Sequence, residues 1–222
     1  RRIVSLRSDM RKIRESATQI GMLDVDWSRH APAAESMNRL GKELGAAPAV
    51  RGSRFQMFHD TEEILRAIVS EVDTAKTSIL MEFYIWSEGG TADDVLEAVI
   101  RAARRGVSCR LLIDALGARP WWKGQQSARL RDAGVEVQAA LPVGLFRSIV
   151  GRTDLRTHRK IVVIDGAIAW TGSMNMVDPR FFKQDSGVGQ WVDAMVRVTG
   201  PVVELFTATF MNDWLLETDC RL

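Results

Sequence analysis

Thr157-His158-Arg159-Lys160-Ile161-Val162-Val163-Ile164-Asp165-Gly166-Ala167-Ile168-Ala169-Trp170-Thr171-Gly172-Ser173-Met174-Asn175 contains two apolar runs joined at Asp165-Gly166, the pattern of a β-hairpin. Polar groups sit at both of its ends. Side chains in a strand alternate between faces, so His158 and Lys160 are expected to point the same way, as are Ser173 and Asn175 across the turn. Four polar groups on two paired strands can then converge on one small anion. Asp165 has the opposite parity and precedes a glycine, which favours a turn or structural ion pair over contact with that anion. Gly172 allows close backbone approach beside Ser173.

Working outward, strands and helices alternate from Gly52 onward, which predicts an α/β domain with a mixed β-sheet flanked by helices over residues 51–222. Strands are expected at 54–58, 78–86, 108–114, 135–139 and 191–198. Helices are expected at 61–75, 91–105, 125–133 and 201–216. Ile64, Leu65, Ile68, Val69 and Val72 recur at helical spacing behind an N-cap at Asp60, and Val95, Leu96, Val99, Ile100 and Ala103 do so behind Thr91. Residues 1–50 read as a helical lead-in with Arg and Lys on one side, which either packs on the domain or lies on a membrane surface.

Several residues stand out against this pattern. Glu82 interrupts an otherwise apolar strand and needs a partner inside the domain, either as a structural ion pair or as a carboxylate that orients a catalytic group. Asp114 ends a strand, where turn chemistry is the first reading. The adjacent Trp121 and Trp122 suit an apolar substrate wall or an interfacial anchor, with packing beneath their loop as the alternative. Asp193 interrupts the last apolar strand. Arg147, Arg152 and Arg156 among apolar neighbours, together with Phe181-Phe182, fit an anionic lipid surface.

Composition sets outer limits. The 222 residues are 46% hydrophobic with a formal charge of +2, enough for one substantial core and without a charge excess that announces nucleic acid. Cys109 and Cys220 are the two cysteines and lie far apart, so neither a disulfide framework nor a cysteine metal site is expected. No run reaches the roughly 20 apolar residues of a membrane-spanning helix. The chain starts at Arg1 rather than Met, which fits an upstream segment or a processed terminus.

The hairpin's residue types suit phosphodiester chemistry: an imidazole nucleophile, an ammonium for the non-bridging oxygens, and Ser and Asn as donors to developing charge. No metal-ligand spacing accompanies them, so no metal and no cofactor are expected. Such a transfer also needs an acid for the leaving alcohol and a base for the incoming one. Of the three histidines, His30 lies in the lead-in and His59 beside a helix cap. The second half of the site is therefore expected from a second copy or from further sequence.

His158, Lys160 and Asp165 fit the HxKxxxxD motif of the phospholipase D superfamily, and Gly172-Ser173 with Asn175 fit the GSxN that follows it. A longer match resembles bacterial cardiolipin synthases: Glu82-Phe83-Tyr84-Ile85-Trp86, Ala102-Ala103-Arg104-Arg105-Gly106, Asn175-Met176-Val177-Asp178-Pro179 and Gly189-Gln190-Trp191. The resemblance implies a phospholipase D-like half that carries one of two motifs, at the bacterial inner membrane. It implies joining of two phosphatidylglycerol molecules into cardiolipin with release of glycerol, through a phosphohistidine. In that family the motif His is nucleophile or acid–base, Lys and Asn bind phosphate, and a later carboxylate, here Asp193, orients the His. The alternatives are a single-motif phosphodiesterase or nuclease acting as a homodimer, and a non-catalytic half that binds lipid; no nucleic-acid partner is expected.

Overall fold

The computed structural model describes residues 25–43, 49–141, 156–183, 185, 187 and 189–218. The first 24 residues, and Arg147 and Arg152, lie outside them. The elements in order are α1 (Pro32–Glu43), β1 (Arg54–Phe58), α2 (Thr61–Thr74), β2 (Ser78–Phe83), α3 (Thr91–Arg104), β3 (Ser108–Asp114) and α4 (Arg119–Lys123). They continue with α5 (Gln126–Asp132), β4 (Glu136–Ala140), β5 (Ile161–Ile164), β6 (Ile168–Gly172), β7 (Met195–Thr199) and α6 (Val203–Thr218).

The seven strands form one sheet in the order β1-β7-β6-β5-β2-β3-β4. β2, β3 and β4 run parallel, an arrangement that needs the crossover connections their intervening helices provide. The expected hairpin is β5–β6, antiparallel with Ile164 opposite Ile168, and its outer edges pair antiparallel with β2 and β7. The sheet is mixed, as the alternation predicted.

Alternation along the strands splits the core in two. Ile79, Met81, Phe83, Val162, Ile164 and Trp170 pack with Ile64, Leu65, Ile68 and Val72 of α2 and Val95, Leu96 and Val99 of α3. Leu80, Leu112, Ile161, Val163, Ala169 and Val198 pack on the other face with Val203, Phe210 and Trp214 of α6. α1 contributes no buried residue to either layer.

Some boundaries differ from the sequence pattern. β2 ends at Phe83 rather than at residue 86, because beyond it the backbone N–H of Ile85 is taken by the Asn175 side chain at 3.0 Å. β7 begins at Met195, so Asp193 precedes the strand instead of interrupting it. The N-cap of α3 is Gly90, at φ +62°, and the Thr91 N–H is capped by the distant Asp178 carboxylate at 3.0 Å. Asp60 caps α2 as expected, accepting from Glu63 N at 2.8 Å.

The paired tryptophans are corrected by the structure. They form part of the short helix α4, and Trp121 is 2% exposed, with its ring 5.6 Å from that of Trp86 and its indole N–H donated to Gln126 Oε1 at 2.8 Å. Trp122 is half-buried, donates to the Asp114 carbonyl at 3.1 Å and lies under the Arg131 guanidinium. Packing wins over a substrate wall because two indoles beside a strand end find both apolar cover and acceptors there.

Candidate active site

One end of the sheet gathers the polar groups. β5 is antiparallel to both β2 and β6, so the entrance of β5 lies beside the exits of those strands, and the entrance of β7 adjoins the exit of β6. Four segments therefore meet: His158 and Lys160 before β5, Tyr84 after β2, Ser173 and Asn175 after β6, and Asp193 before β7.

The His158 side chain is exposed, and its ring stacks on that of Tyr84 with centroids 4.3 Å apart and planes at 24°. Lys160 is 7% exposed, with Nζ donating to the His158 carbonyl at 2.6 Å and lying 5.8 Å from the centre of the Tyr84 ring. Burial pulls its ammonium below the ordinary range, while the nearby Asp193 charge works against that pull. One bond from Lys160 thus fixes the backbone of His158, and the Tyr84 ring lies against both side chains.

Ser173 and Asp193 form the other wall. Ser173 Oγ donates to Asp193 Oδ1 at 2.7 Å and accepts from Ala194 N at 3.0 Å. The hydrogen bond of Asp193 goes to Ser173 rather than to His158, so the carboxylate reaches this wall without orienting the imidazole directly. Asn175 is buried, and with its side-chain oxygen committed to Ile85 N, its amide N–H groups are the end free to be aimed as donors. Gly172 is required by contact: a Cβ there would stand 2.1 Å from the Ala194 carbonyl oxygen and 2.8 Å from Met195 Cα.

Two expected site residues lie elsewhere. Asp165 follows β5 at the opposite end of the sheet, with φ +52°. Its carboxylate accepts from Lys76 N at 2.9 Å, Thr77 N at 2.7 Å, Thr77 Oγ1 at 2.9 Å and Ser78 N at 3.0 Å. Burial works against it, but those donors hold the carboxyl at about 2. Asp165 therefore belongs to the β5–β6 turn and the entrance of β2, as its parity suggested, and is corrected from the reacting groups. Glu82 is fully buried on the α6 face, away from His158, where Oε1 accepts from Thr157 Oγ1 at 2.7 Å.

Sequence reasoning missed Tyr84 and Asp213. Tyr84 is the single tyrosine of the chain, and that singularity was the available signal. Asp213 sits in an amphipathically featureless helix and had none. Among the described residues, no three His, Cys, Asp or Glu side chains lie together in a way that could hold a metal ion. The assembly as it stands offers an accessible imidazole, a buried ammonium and hydroxyl and amide donors, a set suited to a phosphate group.

A family model described as cardiolipin synthase, PLD-like domain, matches residues 68–214. Cardiolipin synthase A of Klebsiella pneumoniae is 45% identical over 193 residues, covering 87% of this chain and 40% of that protein. Its counterpart in Yersinia pseudotuberculosis is 49% identical over 173 residues, covering 78% of this chain and 36% of that one. This chain thus spans about two-fifths of the length of the curated relatives it matches. Among solved structures, the phospholipase D family member Nuc from Salmonella typhimurium aligns with a TM-score of 0.54 at 22% identity, over 77% of this chain and 99% of that one. The phosphatidylserine synthase of Haemophilus influenzae aligns with a TM-score of 0.54 at 14% identity, over 94% of this chain and 41% of that one. These two likenesses concern the fold.

Proposed function

Because the chain belongs to the cardiolipin synthase, PLD-like domain family, we propose that it supplies one half of a phosphatidyltransferase active site that joins two phosphatidylglycerol molecules into cardiolipin and glycerol. The observation that carries this reading is the exposed imidazole of His158 stacked on Tyr84, with the buried Lys160 bonded to the His158 carbonyl and lying by the same ring. In the proposed cycle a motif imidazole, that of His158 or of its counterpart in the second half, attacks the phosphorus of one phosphatidylglycerol. The bond from phosphorus to the headgroup glycerol oxygen breaks, and glycerol leaves with a proton given by the opposite imidazole. A hydroxyl of a second phosphatidylglycerol then gives its proton to that same imidazole and attacks phosphorus, freeing the first. Lys160 and the Asn175 amide neutralise and bind the phosphate oxygens, and Ser173, held by Asp193, adds a hydroxyl.

The second half is a second HxKxxxxD segment of the same longer chain, and the reaction takes place at the bacterial inner membrane on anionic lipid. No helix among the described residues is long and apolar enough to cross a membrane. A single-motif phosphodiesterase working as a pair of identical chains is the second reading, since His158 is the one motif histidine here and a second copy would bring the opposite imidazole.

The test is His158→Ala in the complete protein with phosphatidylglycerol vesicles. Loss of cardiolipin and glycerol formation by at least about 1,000-fold is expected, with vesicle binding retained. Synthesis at the parent rate would sink the assignment, and release of phosphatidic acid without cardiolipin from the parent enzyme would favour the second reading.

A further inference from the structure

On the face of the sheet opposite His158, a cavity of about 280 Å³ is lined by Glu82, Arg156, Thr157, Arg159 and Asp213. Three of these flank the histidine in sequence, and each is held from a different element. Arg156 donates through Nη2 to the buried Asp114 at the end of β3 at 2.7 Å, and through Nη1 to the Leu141 carbonyl at 3.0 Å. Thr157 Oγ1 donates to Glu82 of β2 at 2.7 Å, and Arg159 Nη1 donates to Asp213 of α6 at 2.6 Å. The same Nη1 lies 3.9 Å from Glu82 Oε1, so the two carboxyls share one cation.

Glu82 Oε2 is buried with no hydrogen-bond partner. A bare carboxylate oxygen in that position is costly, and a proton on Glu82 removes the cost. The electrostatics agree: burial first, then the facing Asp213 charge, push Glu82 up to about 7, with Thr157 and Arg159 working against them. Burial likewise pushes Asp213 up. The other charged groups around the pair are Arg156 from the segment before β5, Asp114 from β3 and Glu217 from α6.

We propose that Glu82 and Asp213 are a positioning pair for His158: from behind the sheet they grip Thr157 and Arg159, the residues on either side of it, and so set the imidazole on Tyr84. The pair touches no reacting atom, and its importance for turnover rests on the reading of His158 given above. Burying a carboxyl pair in a sheet is a poor way to gain stability, since an apolar pair of similar volume does as well. Its yield is a fixed geometry, to which reaction rates are steeply sensitive.

The experiment compares Glu82→Leu, Thr157→Val and Glu82→Gln, reading His158 by NMR in this chain, where only three histidines need assignment. Stacking on Tyr84 shifts the His158 ring protons upfield. Glu82→Leu and Thr157→Val are expected to lose at least about half of that shift and, in the complete protein, to lower kcat about 10- to 100-fold with KM within about 3-fold. Glu82→Gln still accepts from Thr157 and is expected to keep the ring shift. Thr157→Val leaves both carboxyls in place, so it reports even if Glu82→Leu fails to fold. Parent-like ring shifts in Thr157→Val would overturn the proposal, as would a Glu82→Gln variant as displaced as Glu82→Leu. The ring shift does not depend on the substrate, so failure of the lipid reading leaves this result standing on its own.

Discussion

Two buried or half-buried acids show how position sets what a carboxyl does. Asp165 stays ionised because backbone N–H groups converge on it, and its carboxyl is lowered from 3.8 to about 2. A lowered acid contributes stability that is present above about 4 and lost as pH falls through about 2. Asp165→Asn is therefore expected to cost about 2 kcal/mol at pH 7, the order of a lost charged hydrogen-bond set, and to flatten the acid limb of a Tm–pH curve. A variant with unchanged Tm but lost turnover would return Asp165 to the chemistry. Glu82 has the opposite sign. Raised from 4.5 to about 7, it binds its proton more tightly in the folded state, so its contribution is full below 4.5 and declines as pH rises toward about 7. Glu82→Gln, which cannot ionise, is expected to remove that decline, measured as a smaller difference in Tm between pH 5 and pH 8 than in the parent.

At the scale of elements, the hairpin β5–β6 gathers the site's polar groups because both its open ends reach one end of the sheet while its turn reaches the other. The fit of β6 against β7 is tight enough to fix where Ser173 stands. Gly172→Ala would drive a methyl into the Ala194 carbonyl and Met195, backbone atoms that cannot step aside. It is expected to cost about 1–3 kcal/mol, the usual toll of overpacking, and to lower turnover by moving Ser173 off Asp193, checked by denaturant midpoint and steady-state rate together. Helix α4 gives the contrasting case. Trp121 is core, so Trp121→Ala is expected to destabilise by about 3–5 kcal/mol, and vesicle binding by the folded fraction is expected to stay at the parent level. Selective loss of vesicle binding with parent stability would restore the interfacial role.

At the scale of the molecule, the site's polar groups converge on one end of the sheet, with His158 exposed there. On the function proposed above, two such ends facing each other would supply the two imidazoles that phosphodiester exchange requires. The chain, separately expressed, is expected to synthesise no cardiolipin from phosphatidylglycerol until the remaining part of the longer protein is added, measured by product formation on mixing. Full activity of the separate chain, with a sedimentation mass of two copies, would favour the paired-chain reading.

Much of this was written in local order. Asp-Gly between apolar runs, helical spacing behind Asp60 and period-two alternation determined the hairpin and the α/β class, because turns and amphipathic faces depend on near neighbours. The parity of Asp165 even placed it at the turn. Tertiary structure alone decided the rest. Whether Trp121 is wet or packed depends on Trp86 and Gln126, and the partner of Asp193 depends on where β7 begins. That Glu82 and Asp213 share the Arg159 guanidinium behind the histidine joins residues 131 positions apart, an arrangement fixed by how α6 lies across the sheet and by no pattern within either segment.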